Sequence, residues 1–442
     1  MGHAQNDMKP ERIQLAEGIY FNRVFTDKFK TSRLSIHFFT PLTDLAEASR
    51  VALISPVLRR GTRTYPTNTA LSRRQEELYS ASLGSFVSKT ASCQSVAFSV
   101  TMLRREFVPD GQDLLAPAAE LLKEVIFTPL LDPTTGVFLD EYVEGEKRNL
   151  INRIRSMQNN KAAFASFRCT SLMHEGEPYA VYENGSVEEV EKITPASLYE
   201  AYRALLSEAH IEIYFAGTEE AEAVLSHIRP AIEAIRRFPC PIPPALVKRK
   251  AEHRKTVTER AESAQGRLCM GFRTGTTADD PDAAALLLFT YVYACSPTSK
   301  LFVNVREKLS LCYSCSANLV SSIGTMTVTA GLENKKRGRA IREILRQLRK
   351  MRAGKVTENE LMMAKKTLLG QLMGYYDSPM LIELWYLPRL LRGNTETIGE
   401  LRDKLETVTV KDLARVAKRL TLDTVYFLRA GQDGGEEEDC DE

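Results

Sequence analysis

The segment ITPASLYEAYRALLSEAHIEIYFAG, residues 193–217, returns later in the chain as VTVKDLARVAKRLTLDTVYFLRAG, residues 408–431. Each copy has a threonine in the position of a helix N-cap, Thr194 or Thr409, followed by an amphipathic helical pattern. Each copy then ends in a run of β-branched and aromatic residues that closes on glycine, which is typical of a strand. The two segments therefore predict a duplicated helix–strand unit.

Two further matches upstream follow the same order in both halves of the chain. A charged helix end that leads into an alternating strand occurs at residues 73–89 and again at 304–320. A pair of long helices is predicted at residues 114–126 and 138–154, and again at residues 340–351 and 358–375. Repeats in the same order predict two homologous lobes.

Each lobe is predicted to belong to the α+β class, with an antiparallel sheet packed against helices, because adjacent alternating strands accompany amphipathic helices. The break between the lobes is predicted where four prolines and a basic run indicate an extended linker. The predicted parts are an N-terminal tail at 1–11, a first lobe at 12–237, a linker at 238–256, a second lobe at 257–431 and an acidic tail at 432–442.

The composition of the 442-residue chain is that of a globular protein, with 43% hydrophobic and 26% charged residues. The formal net charge of +2 gives no electrostatic reason to expect nucleic acid or an anionic membrane as a partner. No signal peptide is visible, and the longest apolar run, residues 283–295, has about half of the ~20 residues that a membrane-spanning helix needs. We expect this run to form a buried helix that is capped by Asp280 or Asp282.

The eight cysteines show no spacing typical of a disulfide framework, which favours a reducing cytoplasm. Cys312 and Cys315 form a C-x-x-C motif inside the alternating segment CYSCSANLV. Residues three apart on a strand point to opposite faces, so this pair is predicted to pack in the core rather than to form a disulfide or bind a metal.

The duplicated lobes, the linker and two short segments, residues 49–66 and 302–316, resemble the insulinase/pitrilysin (inverzincin) family of zinc peptidases. The resemblance covers residues 12–431 and is greatest to the non-catalytic YfmF-like subfamily, whose label refers to modification of elongation factor P. It implies that the two lobes form one half of a clamshell.

Active members of that family carry H-x-x-E-H on a helix, in which two histidines hold zinc and the glutamate is the general base. A Gly-Thr pair commonly follows this helix, and here it is Gly61 and Thr62. Counted back from that pair, the resemblance assigns the zinc-ligand positions to Ala52 and Pro56 and the position of the base to Ser55. None of the three side chains has a group for these roles.

A third zinc ligand lies on a later helix in active relatives, and the resemblance assigns its position to Arg153, while an outer glutamate is kept as Glu146. A guanidinium is permanently cationic and cannot bind zinc. Among the six histidines of the chain, no two are four residues apart. We therefore expect no cofactor in this chain and no peptidase activity from the chain alone.

The segment FVNVREKLSLCYSCS resembles a family motif in which an arginine and a tyrosine reach the substrate carbonyl, and these positions are Arg306 and Tyr313. The resemblance implies that they stabilise an oxyanion, by charge and by a phenolic hydrogen bond. The usual glycine of the motif is replaced by Ser310. The alternative is structural, with Arg306 bonding the last carbonyls of a helix and Tyr313 packing on a strand.

The function expected from the resemblance is that of a non-catalytic subunit, which pairs with a zinc-bearing paralogue containing H-x-x-E-H and binds peptide substrates. The first alternative is a purely structural, scaffolding pseudopeptidase, for which Arg306 and Tyr313 would be dispensable. A second alternative is a self-sufficient zinc peptidase with unusual ligands, which would contain about one zinc ion per chain.

Overall fold

A computed structural model describes residues 8–431, so residues 1–7 of the predicted N-terminal tail and the whole predicted acidic tail at 432–442 lie outside the described part. The strands within it are β1 (Glu11–Ala16), β2 (Ile19–Phe25), β3 (Thr31–Pro41), β4 (Ser82–Thr90), β5 (Cys93–Leu103), β6 (His210–Gly217), β7 (Lys255–Ala261), β8 (Gly266–Arg273), β9 (Ser314–Val320), β10 (Thr325–Leu332) and β11 (Thr421–Ala430).

The strands form two sheets, in the orders β1-β2-β6-β3-β5-β4 and β7-β11-β8-β10-β9. The β2–β6 and β7–β11 pairs are parallel, and the other pairs are antiparallel. If β1 is left out, the strand order of the first sheet, β2-β6-β3-β5-β4, corresponds position by position to the order β7-β11-β8-β10-β9 of the second. The prediction of two homologous α+β lobes with mostly antiparallel sheets is therefore confirmed.

The helices of residues 8–431 are α1 (Leu45–Leu58), α2 (Asn68–Glu77), α3 (Leu115–Phe127), α4 (Asp140–Asn159), α5 (Lys161–Met173), α6 (Val187–Glu191), α7 (Pro195–Glu208), α8 (Ala221–Glu233), α9 (Ala283–Thr290), α10 (Arg337–Arg352), α11 (Glu358–Met373), α12 (Pro379–Leu390), α13 (Ile398–Thr407) and α14 (Val410–Arg419). Two further segments, Tyr291–Cys295 and Phe302–Lys308, are π-helical.

The duplicated helix–strand unit has the same cap in both copies. At the start of α7, the hydroxyl of Thr194 accepts a hydrogen bond from the backbone N–H of Ser197, and the backbone N–H of Thr194 donates the reciprocal bond to the hydroxyl of Ser197. Thr409 and Asp412 form the same capping box at the start of α14. The following strands, β6 and β11, pair on both sides, so each capped helix leads into the interior of a sheet.

The chain folds into two compact units, and neither unit is formed by one continuous stretch of sequence. Within residues 8–431, the first contains the residues up to Arg155, then Val181–Pro244 and Leu372–Glu400, and the second contains the other residues. In the first unit α12, from the second half of the sequence, packs on β3 and β6. In the second unit α5, from the first half, packs on β8 and β11. The predicted lobe boundaries, by contrast, describe two contiguous segments.

In the first unit, the two faces of the sheet differ in polarity. Leu34, Ile36 and Phe38 of β3 are buried in the main apolar core, to which α1, α3 and α7 also contribute. The alternate residues of β3, which include Arg33 and His37, point to the opposite face, where α12 packs. This alternation places a row of buried polar side chains under a helix from the other half of the chain.

The apolar run at residues 283–295 forms α9 and the π-helical segment that follows it, largely buried as predicted. Asp282 occupies the N-cap position, but its side chain accepts no hydrogen bond from the helix; instead it forms ion pairs with Arg415 and Arg419. Asp280 accepts hydrogen bonds from Thr277 instead of capping α9. Within residues 8–431, no helix has the length and apolar character to cross a membrane.

Candidate functional site

The three positions that the resemblance assigns to the zinc motif all lie on α1, which packs against β4, β5, α6 and α7. Ala52 is 0% exposed and Ser55 is 2% exposed, so both are buried in the core. Pro56 lies in the last turn of α1 and has no N–H to donate to the carbonyl of Ala52. This helix contributes to the apolar core where active relatives present metal ligands.

The residues at these positions do not fit a zinc ion. Ala52 has no donor atom, Pro56 has no side-chain lone pair, and Arg153 on α4 is a permanent cation. Glu146, also on α4, accepts a hydrogen bond from Asn149 at 3.0 Å and lies 3.4 Å from Arg60. Across residues 8–431, no three or more His, Cys, Asp or Glu side chains are grouped so that they could hold a metal ion.

A short segment, residues 183–186, covers the N-terminal half of α1. The amide of Gln94 donates to the carbonyls of Ala48 at 2.9 Å and Glu183 at 2.7 Å, which joins the segment to the helix. The backbone N–H of Ser186 donates to the hydroxyl of Ser49 at 3.2 Å. Sequence reasoning did not predict this cover, because its contacts join residues far apart in the chain.

Arg306 and Tyr313 are brought together in one open pocket of the second unit, with a volume of about 390 Å³. Arg306 lies in the last turn of the π-helical segment Phe302–Lys308, and its guanidinium lies 4.6 Å from the ring centroid of Phe302 and 3.6 Å from a carboxylate oxygen of Glu307. Tyr313 is 59% exposed, and its hydroxyl is 3.4 Å from Glu333. Both side chains are therefore accessible to a ligand. The pocket is lined by Arg306, Glu307, Ser310, Leu311, Cys312, Tyr313 and Lys336.

Ser310 explains why the related motif usually has a glycine at this position. Its φ is +48°, in the left-handed region that residues with a Cβ adopt at a cost of ~1–2 kcal/mol. Its carbonyl accepts a hydrogen bond from Lys336 at 3.2 Å, and Lys336 also pairs with Glu333 at 2.6 Å. The turn that positions Arg306 and Tyr313 is thus formed without the glycine.

The prediction that Cys312 and Cys315 pack in the core is confirmed by their burial, but the prediction that Cys312 lies on a strand is wrong, because β9 begins only at Ser314 and Cys312 lies in the irregular segment before it. Both are free thiols. The S–H of Cys315, followed by the charges of Arg306 and Lys336, lowers the pKa of Cys312 although burial opposes the shift. The neighbouring Cys312 and burial raise the pKa of Cys315.

A buried ionic cluster in the first unit was missed by the sequence analysis. Glu383 of α12 accepts hydrogen bonds from Arg33 at 2.6 Å and Ser35 at 2.8 Å, and it contacts Nε2 of His37. Burial alone would raise the pKa of Glu383, but His37 and then Arg33 outweigh it and lower the pKa to about 2. The sequence shows the alternation of polar residues along β3. It does not show that their partner is Glu383, which lies 350 residues after Arg33.

The second unit has an equivalent cluster on β8. Arg273 pairs with Glu177 at 2.8 Å and with Asp423 at 3.0 Å, and His174 is 2.6 Å from Glu177. Burial opposes ionisation of Glu177, but hydrogen bonds from His174 and Arg273 lower its pKa to about 2. Burial lowers the pKa of His174. In both units, an arginine of an interior strand therefore pairs with a glutamate from the segment that the other half of the sequence contributes to that unit.

Comparisons with known proteins agree with this architecture. The family model described as the peptidase M16 inactive domain matches residues 192–368. A protein from Bacillus subtilis (strain 168), described as "Probable inactive metalloprotease YmfF", is 29% identical over 417 residues, which are 94% of this chain and 97% of that protein.

Solved structures extend the match over nearly the whole chain. A conserved protein from Enterococcus faecalis V583 superposes with a TM-score of 0.89 and 28% identity, covering 97% of this chain and 100% of that one. A peptidase M16 inactive domain from Pseudomonas fluorescens shares the fold, with a TM-score of 0.76 and 17% identity over 97% of this chain and 100% of that one. The resemblance to the insulinase/pitrilysin metallopeptidases is therefore confirmed: residues 192–368 match the M16 inactive domain, and the chain is a homologue of inactive M16-type proteins over most of its length.

Proposed function

We propose that this chain is the non-catalytic subunit of a two-component M16 peptidase, and that it binds peptides together with a zinc-bearing paralogue that carries H-x-x-E-H. The observation that supports this function most directly is a contrast between two sites. The positions of the zinc motif are occupied by Ala52, Ser55, Pro56 and Arg153, whereas Arg306 and Tyr313 are exposed in one pocket.

Arg306 and Tyr313 would contribute electrostatic stabilisation when a peptide carbonyl is attacked in the partner's active site. An oxyanion develops at that carbonyl, and a guanidinium and a phenol can both donate to it. The hydroxyl of Tyr313 is only weakly engaged by Glu333 at 3.4 Å, so a substrate can compete for it. This chain itself would supply no metal and no general base.

Peptide binding by strand addition is a second part of the proposal. β4 and β9 are edge strands of their sheets, so each has one side that is not paired within its sheet. An extended peptide that adds to such an edge is held by backbone hydrogen bonds, which tolerate many sequences. This mode suits a subunit that presents varied peptides to a partner.

The test is to express this chain together with the H-x-x-E-H paralogue from the same organism and to measure cleavage of unfolded peptides. We expect the two chains to co-purify and only the mixture to cleave, with inhibition by a chelator. In the mixture, Arg306→Ala and Tyr313→Phe should each lower turnover by ~10²-fold, the usual cost of losing one oxyanion donor. The matched control is Arg342→Ala, an exposed arginine on α10, which should leave turnover unchanged.

Two results would contradict the proposal. Chelator-sensitive cleavage by this chain alone, with about one zinc per chain, would make it a self-sufficient peptidase. Full activity of the mixture with both Arg306→Ala and Tyr313→Phe would leave this chain a scaffold, without a part in the chemistry.

A further inference from the structure

We propose that an acidic segment of this chain, residues 436–442, docks on an arginine face of α10, which consists of Arg339, Arg342, Arg346 and Arg349. The segment has the sequence EEEDCDE, with six carboxylates and no basic residue. The occupant is thus an acidic peptide segment that the chain itself supplies. This inference is independent of the proposed function, since it concerns one chain without a partner.

The four arginines form one stripe along α10. Successive members are three, four and three residues apart, a spacing that places them on the same side of a helix. All four residues are exposed, whereas the opposite side of the helix, with Ala340, Ile344, Leu348 and Met351, is buried. The stripe extends over ten residues of helix, which is about 15 Å.

The fold provides few counter-charges for this stripe. Arg346 pairs with Glu343, one turn earlier on the same helix, at 2.7 Å. Among the residues that the structure describes, the other three arginines form no ion pair. Glu333, which precedes the helix, is already paired with Lys335 and Lys336. Adjacent guanidiniums without counter-charges produce a positive potential that attracts an acidic segment.

The last strand ends beside the beginning of α10. The side chain of Asn334, three residues before this helix, donates to the carbonyl of Ala430 at 3.0 Å and accepts from the N–H of Ala430 at 3.1 Å. At the other end of the helix, Arg352 donates to the carbonyl of Leu420, directly before β11. α10 and β11 are therefore antiparallel neighbours in the second unit, and the chain leaves β11 at the end of α10 where the arginine stripe starts.

The acidic segment is long enough to follow the stripe. Glu436 and Glu442 are five and eleven residues after Gly431, the last described residue. A chain extends by at most ~3.5 Å per residue, so these two residues can lie up to ~17 and ~38 Å from Gly431. The 16 residues of α10 span only ~24 Å. Because the segment is tethered, its effective concentration at the stripe is of millimolar order, at which weak surface ion pairs can hold it.

Carbodiimide crosslinking of the full chain tests the docking, because this reagent joins a carboxylate to an amine that it contacts. Arg342→Lys keeps the charge of the stripe and supplies an amine. In ~0.1 M salt, where the Debye length is ~10 Å, peptide mass spectrometry should find residues 436–442 crosslinked to position 342. The matched control is Arg203→Lys, which replaces an exposed arginine on α7 of the first unit and should give no such crosslink. Lys255 and Glu175, 2.8 Å apart, provide a positive control that the fold itself holds together.

The electrostatic origin of the docking is tested in the Arg342→Lys protein. In ~1 M salt the Debye length falls to ~3 Å, and the yield of the crosslink at position 342 should fall roughly threefold or more. Adding Arg339→Gln and Arg349→Gln should lower the yield by a similar factor of roughly three, because two charges of the stripe are removed. The crosslink between Lys255 and Glu175 should change less in both experiments.

Three results would overturn the proposal. The first is that no crosslink forms at position 342 while Lys255 and Glu175 are joined, or that positions 342 and 203 react equally. The second is a yield at position 342 that changes neither with salt nor with the neighbouring arginines. The third concerns the source of the segment and uses an equal mixture of ¹⁵N-labelled and unlabelled protein. Crosslinks that join a labelled to an unlabelled peptide would make the occupant a second copy of the chain.

Discussion

A buried arginine on an interior strand is neutralised in each unit by a glutamate that lies far away in the sequence. Arg33 meets Glu383 in the first unit, and Arg273 meets Glu177 in the second. Removing one partner of such a pair leaves an uncompensated buried charge, which destabilises a protein by ~3–5 kcal/mol. These residues therefore determine the stability of their units although they have no place in the proposed chemistry.

Glu383→Gln should lower the free energy of unfolding by roughly 3–5 kcal/mol, because Arg33 loses its counter-charge while it remains buried. Urea denaturation at neutral pH measures this effect. The control is Glu47→Gln, which removes the partner of Arg50 from a half-exposed pair on α1 and should change the same free energy by less than ~1 kcal/mol.

The same variant tests a dependence on pH. Because the pKa of Glu383 is lowered in the folded state to about 2, its ionic contribution is fully present above its ordinary value of 4.5 and is lost as the pH falls from there towards about 2. The wild type should therefore lose more stability than Glu383→Gln over this range. Parallel stability curves for the two proteins would show that Glu383 is not held ionised by its partners.

At the scale of elements, the cover over α1 depends on one glycine. Gly185 has a φ of +72°, and a Cβ placed there would lie 1.8 Å from the hydroxyl oxygen and 2.6 Å from the Cα of Ser49. Gly111 has nearly the same φ, +71°, and nothing within 4 Å of such a Cβ. Substitution of Gly111 therefore measures only the backbone cost of an added Cβ, whereas substitution of Gly185 measures the same backbone cost together with the steric cost.

Gly111→Ala should destabilise the protein by ~1–2 kcal/mol, the cost of a left-handed conformation. Gly185→Ala should cost a further ~1–3 kcal/mol, because the contact with Ser49 must be relieved by moving the 183–186 segment away from α1. Urea midpoints of the two variants give the comparison, and Ser49→Ala should recover part of the extra loss. Equal destabilisation by Gly111→Ala and Gly185→Ala would mean that the 183–186 segment does not pack closely against α1.

Elements whose signals are local could be predicted from the sequence, and contacts between distant segments could not. The capping boxes at Thr194 and Thr409 were predictable because a cap bonds a residue three positions away. The packing of α12 on β3 was not, because amphipathicity shows that a helix has a buried face without showing which sheet buries it. At the candidate site, Cys312 was misplaced because β9 begins only at Ser314, so the alternation of side chains along the strand does not extend to Cys312.

In the whole molecule, each unit includes a helix from the other half of the sequence, so neither half of the sequence contains a complete unit. A fragment that ends at Pro244 lacks α12 and leaves Arg33 without Glu383. The complementary fragment from Ala245 lacks α5 and leaves Arg273 without Glu177. Each fragment would expose the polar sheet face that its missing helix buries, so neither should fold stably alone.

A specific protease site inserted between Pro244 and Ala245 tests this in the folded protein, since residues 236–249 contain no helix or strand that the cut would interrupt. After cleavage, the two fragments should still co-elute in size-exclusion chromatography under native conditions, because each unit holds segments of both. In urea they should separate, which also shows that cleavage is complete. When the fragments are expressed separately, both should show reduced helical circular dichroism, and mixing them during refolding should restore it. If the fragment ending at Pro244 folded alone with the urea midpoint of the intact chain, α12 would contribute nothing to the first unit, and the stabilising role assigned to Glu383 would be wrong as well.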